Sequence, residues 1–165
     1  MTAAIMKSAL LAGCLLAAGC ASLTSVPAGT PATDVEASRG KPFRVWPEPA
    51  GGTSWEYPLG PSGRTTYMVR MGPDSRVQKV DQVLAWDTFN RIRQGMPMTE
   101  VEHLLGRPYS TVTYPNATTV WSWRFVETVW YRCFLAYAGP DGTVKSIGSK
   151  DEETGDVGIV SANPC

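Results

Sequence analysis

The chain has few of the residues from which catalytic sites are usually built. Histidine occurs once, as His103. There is no Cys-x-x-Cys or His-Glu-x-x-His spacing and no Gly-x-Ser-x-Gly nucleophile turn. A lone His within a helical pattern is more often a surface or half-buried residue than a base or a ligand. No catalytic residue, metal site, cofactor or small-molecule substrate is therefore expected, and the chain is read as a non-enzyme. An excess of one charge is also missing. Fifteen Lys and Arg face fifteen Asp and Glu, so nothing draws nucleic acid. Apolar runs long enough to span a bilayer are absent too. The acidic run DEETGD at 151–156 does not follow the spacing of an EF-hand loop and reads as a solvated segment. NAT at 116–118 reads as a turn.

What is present begins at the N-terminus. MTAAIMKSALLAGCLLAAGC has one Lys, Lys7, then an apolar run of about ten residues, then small residues before a Cys. Residues 1–19 read as a lipoprotein signal peptide, with Cys20 as the lipidated residue. LAGC at 11–14 is a closer local match, but cleavage there leaves too short an apolar stretch after Lys7. The alternative is an ordinary secretory signal cut after Ala18 or Gly19. Three acyl chains on Cys20 form a stable anchor, since two signals already suffice. In lipoproteins that this start resembles, Asp after the Cys favours retention at the inner membrane. Ala21 stands there instead, which implies the outer membrane, facing the periplasm.

Once Cys14 is removed with the signal and Cys20 lipidated, Cys133 and Cys165 are left as an even pair in an oxidising compartment. A disulfide between them is the favoured reading; two unpaired thiols is the other.

The body of the chain repeats itself. At an offset of 66, Gly29, Pro31, Thr33, Val35, Glu36, Gly40, Pro42, Pro49, Thr53 and Trp55 recur as Gly95, Pro97, Thr99, Val101, Glu102, Gly106, Pro108, Pro115, Thr119 and Trp121. GPDSRV at 72–77 then meets GPDGTV at 139–144, one residue further on. A one-residue slip between strands is what a changed hairpin produces. Two copies of one supersecondary unit follow from this.

The second copy is the clearer. Residues 83–94, ending at Gly95, read as a helix with Phe89 and Ile92 on one face. Thr99 and Glu102 have capping-box spacing, with Thr99 as N-cap, and Val101, Leu104 and Leu105 form an apolar stripe up to Gly106. Strands are expected at 119–125, 130–138 and 143–149, with a turn at 139–142. In the first copy Ser38 and Arg39 replace the Leu pair, and Pro27 sits where the first helix belongs. That copy is expected to keep strands at 54–59, 64–71 and 76–83 but to lose most of its helical layer.

The expected fold is α+β. A two-helix hairpin covers one face of an antiparallel β-meander (ααβββ, residues 84–149), preceded by a helix-poor, β-rich first copy (34–83). Residues 20–33 are expected to be the lipidated Cys and a flexible tether, and 150–165 a C-terminal tail. A unit near sixty residues is marginal alone, so one cooperative body is expected.

FNRIRQGMPMTEVEHLLGRPYSTV, WSWRF and FLAYAGPDGTVKSI resemble the SmpA/OmlA (BamE-like) lipoprotein domain. The matching positions are Ile92, Gly95-Met96, Thr99, Val101, Leu105-Gly106-Arg107-Pro108, Trp121 and Gly142-Thr143-Val144. The resemblance implies an ααβββ outer-membrane lipoprotein, in some members an accessory of barrel insertion. The tandem arrangement also looks like the β-lactamase-inhibitor-protein group. The expected function is protein–protein interaction with an envelope partner, in envelope maintenance or outer-membrane protein assembly. The alternative is a periplasmic ligand-binding or enzyme-inhibitor module. Six Trp is high for this length. Of these, Trp55, Trp121, Trp123 and Trp130 are the candidate interaction aromatics, since a sheet short of helices leaves an aromatic face open.

Overall fold

In each copy an eight-residue helix feeds four antiparallel strands. The computed structural model describes Leu23 and residues 26–60, 63–152 and 165. The expected signal peptide, Cys20 and most of the tail lie outside the described residues. In the first copy, α1 (Ala32–Arg39) leads to β1 (Arg44–Pro47), β2 (Thr53–Leu59), β3 (Thr65–Met71) and β4 (Val77–Gln82). In the second, one helical turn, α2 (Trp86–Phe89), precedes α3 (Met98–Leu105), β5 (Ser110–Thr113), β6 (Thr119–Glu127), β7 (Trp130–Ala138) and β8 (Val144–Asp151). The strands form two meanders in chain order, β1-β2-β3-β4 and β5-β6-β7-β8.

This overturns the expected ααβββ unit with a helical hairpin. The protein is mostly β, built from two four-stranded antiparallel sheets with few helices. The strands β1 and β5 escape the sequence pattern because four residues carry too little alternation to register. The helix expected over 83–94 is a single turn. Phe89 and Ile92 are both buried, but they get there through a tight turn, Ile92 N–H bonding Phe89 C=O at 3.1 Å.

The capping box does not form either. Helix α3 starts two residues earlier, after Pro97 rather than Thr99, with no side-chain cap. Met98 N–H bonds Gly142 C=O at 2.9 Å instead, so the β7–β8 turn satisfies one of the orphan donors. Glu102 is drawn away to Arg44, 3.3 Å distant.

The first copy is not stripped of its helical layer. Helix α1 has the same length as α3, and the backbone contacts recur bond for bond. Ala32 N–H bonds Ser75 C=O as Met98 bonds Gly142. Gly29 N–H bonds Val77 C=O as Gly95 bonds Val144. Leu23 and Val26 stand 66 positions before Phe89 and Ile92, share their turn, and belong to the apolar cluster of Val35, Tyr57, Val69, Met71 and Val77. Where a tether was expected over 20–33, Gly29, Thr30 and Ala32 are bonded to the β3–β4 turn and the start of β4. What has shrunk is the apolar stripe. Helix α1 buries Val35 alone, whereas α3 buries Met98, Val101 and Leu105.

Both helices end on a glycine in the left-handed region, Gly40 (φ 80°) and Gly106 (φ 79°). Each glycine carbonyl accepts a hydrogen bond from the matching aromatic of the second strand. Tyr57 Oη donates to Gly40 at 3.0 Å, and Trp123 Nε1 to Gly106 at 2.9 Å. Burial, and then the charge of Glu36, push the Tyr57 hydroxyl up to about 12. A neutral Tyr57 therefore stabilises the fold fully below pH 10, and the contribution is lost as pH rises from about 10 to 12. Tyr57→Phe is expected to cost ~1 kcal/mol by leaving the Gly40 carbonyl short of a donor. It should also flatten the fall of the urea midpoint above pH 10; an unchanged alkaline profile would exclude this assignment.

The layers run α1, first sheet, α3, second sheet. Alternation sends Trp55, Tyr57, Val69 and Met71 toward α1, and Trp123, Phe125, Phe134 and Ala136 toward α2 and α3. The remaining face of the first sheet lies on the other side of α3, and the contact is polar. Arg44 pairs with Glu102, and Trp46 stacks on His103 at 5.2 Å. Glu56, fully buried, accepts from Arg107 N–H at 2.7 Å and Trp46 Nε1 at 3.2 Å. A Cβ at Gly106 would lie 2.9 Å from Glu56 Oε1, so the join requires glycine for space as well as for φ.

Candidate functional site: the aromatic hairpin end

The slip of one residue between the copies falls in the hairpin joining the second and third strands. In the first copy β2 ends at Leu59 and β3 starts at Thr65. The matching positions are Phe125 and Arg132, yet β6 runs on to Glu127 and β7 begins at Trp130. Two more residues on each strand carry the second hairpin about 7 Å further out. Glu127 pairs with Trp130 across a two-residue turn, Thr128-Val129. Thr128 has φ 58°, a left-handed conformation that costs a β-branched residue on the order of 1–3 kcal/mol.

Beyond the helical layer nothing described covers this tip. Val129 is 73% exposed, Trp130 69% and Tyr131 50%. Val126 and Trp86 add further exposed apolar surface. Trp86 reaches the hairpin by donating its indole N–H to Glu127 Oε1 and meets Phe125 edge-on at 5.8 Å.

The four tryptophans singled out in the sequence part company here. Trp123 is 1% exposed and belongs to the core between the second sheet and α3. Trp121 is half-buried and stacked on Trp123 at 6.4 Å. Trp55 is half-buried on the α1 side, its indole N–H bonded to Thr53 Oγ1 at 3.0 Å. Only Trp130 of the four is presented to solvent. Alternation on β6 aims the first two at α3, whereas Trp130 stands beside the hairpin turn and stays 69% exposed. Cys133 and Cys165 are joined by a disulfide on the other face of the second sheet.

Below the tip lies a charged belt that sequence reasoning missed. Arg64, at the start of β3, grips Glu152 with two hydrogen bonds, Nε to Oε2 at 2.8 Å and Nη2 to Oε1 at 2.7 Å. Arg124 Nε lies 3.0 Å from the same carboxylate. The Arg64 guanidinium sits 4.2 Å over the Tyr131 ring, and that of Arg124 3.5 Å over Tyr109. Its hydrogen bonds to Glu152 hold the Arg64 guanidinium still further above its ordinary range. Arg132 pairs with Glu127 at 3.3 Å and with Asp151 at 3.6 Å. These partners are up to 88 positions apart, so no local pattern announces them.

His103 holds a structural place. It lies 3.2 Å from Glu48 and stacks on Trp46 at the join of the copies. Burial would raise the Glu48 carboxyl, but the Ser54 hydroxyl, His103 and Arg70 together hold it below the usual range. Among the described residues no group of His, Cys, Asp and Glu is arranged to hold a metal ion. No helix among them is long and apolar enough to cross a membrane. The rest of the surface includes an open groove of about 550 Å³ on the disulfide face, floored by Val120 and Leu135 and walled by Tyr114 and Tyr137.

No protein-family model, no curated protein and no solved structure matches this chain.

Proposed function

We propose that the chain is a non-catalytic lipoprotein of the outer membrane that acts by binding an envelope protein through the Trp130 hairpin. The observation that carries this is the exposed apolar tip of the β6–β7 hairpin, where Val126 and Tyr131 pair on one face, Trp130 stands on the other and Val129 lies in the two-residue turn between them. Trp, Tyr and Arg are the residues that dominate binding energy at protein interfaces, and an apolar patch rimmed by charge marks such a site. The lipoprotein signal supports the location.

Geometry supports a protein rather than the anchoring membrane as the partner. Residues 29–32, which follow the proposed anchor, are bonded to the β3–β4 turn and the start of β4. The hairpin stands at the opposite end of the strands. The nine residues of β7 span ~30 Å, which supports a tip set apart from the anchored end.

The test is a photo-crosslinking amino acid at position 130 of the full chain in its own envelope, with position 147 as control, because Ile147 is exposed on the edge strand β8. A discrete adduct with one envelope protein is expected at 130 and not at 147. Excess unlabelled chain should suppress it, and excess Trp130→Ala chain should not. Equal adducts at both positions, or none at 130, would end this reading.

A further inference from the structure

We propose that the first copy acts on the docking surface of the second, with Arg64 as the residue that positions the hairpin tip. The inference rests on the docking role of Trp130 given above and explains what a second copy adds to it. Among the described residues, Arg64, just before β3, ties the first copy to the structure around the tip. It stacks on Tyr131, next to Trp130 in the chain, and holds Glu152 by two parallel hydrogen bonds. Glu152 N–H in turn bonds the Tyr131 carbonyl at 2.9 Å, so both the ring and the backbone of Tyr131 are fixed by one clasp.

The clasp is well sheltered. The Glu152 side chain is 3% exposed and that of Arg64 22%, so water and salt compete poorly for the pair. On the other strand Glu127 is held by the Trp86 indole and by Arg132. The residues on both sides of Thr128-Val129 are thus tied down, which is what a strained turn needs to persist. A two-stranded ribbon reaching past its sheet is otherwise marginal in water. Ordering the tip beforehand removes an entropic cost that a partner would have to meet on binding.

The geometry therefore separates two roles. Trp130 and Val129 touch the partner; Arg64 does not, and acts through Tyr131. The experiment compares wild type with Arg64→Ala, both labelled with 5-fluorotryptophan, the Trp130 resonance being assigned by its loss in Trp130→Phe. Amide exchange and cross-linking from position 130 are measured on the same pair.

In Arg64→Ala the Trp130 resonance is expected to move toward the free-indole position. Exchange at 130–132 should quicken roughly tenfold while amides in β2 and β3 keep their rates. Cross-link yield at 130 should fall by a similar factor, and guanidinium at sub-denaturing concentration should restore part of it. An unchanged resonance and unchanged exchange at 130–132 would overturn the proposal. So would a general acceleration of β2 and β3, since Arg64 would then only hold the fold together. Faster exchange in Arg64→Ala together with no adduct from the wild-type chain would sink the docking role of Trp130 and leave the bracing by Arg64 standing.

Discussion

Leu105→Ser is expected to lower the free energy of unfolding by about 3–5 kcal/mol, while the matching change in the first copy, Arg39→Ser, should cost less than ~1 kcal/mol. Leu105 is fully buried between α3 and the second sheet, in the cluster that includes Phe89, Val101, Trp123 and Phe134. Removing it opens a cavity and places a hydroxyl among side chains with no partner to offer. Arg39 occupies the same helical position in α1 but is only partly buried, at a helix end where a cation adds a few tenths of a kcal/mol. Chemical denaturation of both variants, fitted with a common slope, decides the matter. Equal costs at the two sites would show that the stripes of α1 and α3 carry equal load, contrary to the single buried Val35 of α1.

Trp130→Ala is expected to act in the opposite sense, leaving stability within ~0.5 kcal/mol and weakening the partner complex by 2 kcal/mol or more, about 30-fold in affinity. The side chain is 69% exposed, so its removal opens no internal cavity. The same change at Trp123 would do the reverse, because that indole is buried and bonded to the Gly106 carbonyl. Titration of the isolated cross-linking partner with wild-type and variant chains, alongside urea midpoints, measures both quantities. Equal affinity for the two chains would remove Trp130 from the interface. A stability loss comparable to that of Trp123→Ala would show that the tip is part of the core.

Part of the architecture was legible before any coordinates, though the fold expected from it, a helical hairpin over a three-stranded meander, was not the one found. The spacing of Gly40 and Gly106, the paired GPD turns and the one-residue slip revealed two copies and the hairpin in which they differ. The end of α3 at Gly106 was legible because glycine at a left-handed φ is a local requirement. The start of α3 was not, because Thr99 and Glu102 have capping-box spacing while the tertiary structure offers better partners in Gly142 and Arg44. The first copy looked stripped because Ser38 and Arg39 lack apolar surface. Leu23 and Val26, hidden in a segment of small residues and Pro, keep its cluster closed.

The candidate site was legible only in part. Strand alternation groups Trp121 with Trp123 and sets Trp130 near a turn, but it does not say which group a helix will cover. Arg64 and Glu152 carry no motif, and nothing in their own neighbourhoods in the chain joins them.

By itself, then, the amino-acid order determined the duplication, the GPD turns, the stop of α3 at Gly106 and the set of residues able to serve as aromatic anchors. These depend on backbone conformation and on periods of two to four residues, which a short stretch of chain contains in full. Only the tertiary structure decided that Glu56 is buried at the join, that Trp123 is core while Trp130 is surface, and that Arg64 holds the far copy's hairpin. Those outcomes turn on which sheet face meets which helix, and burial and ion pairing across that contact arise between segments that share no local signal.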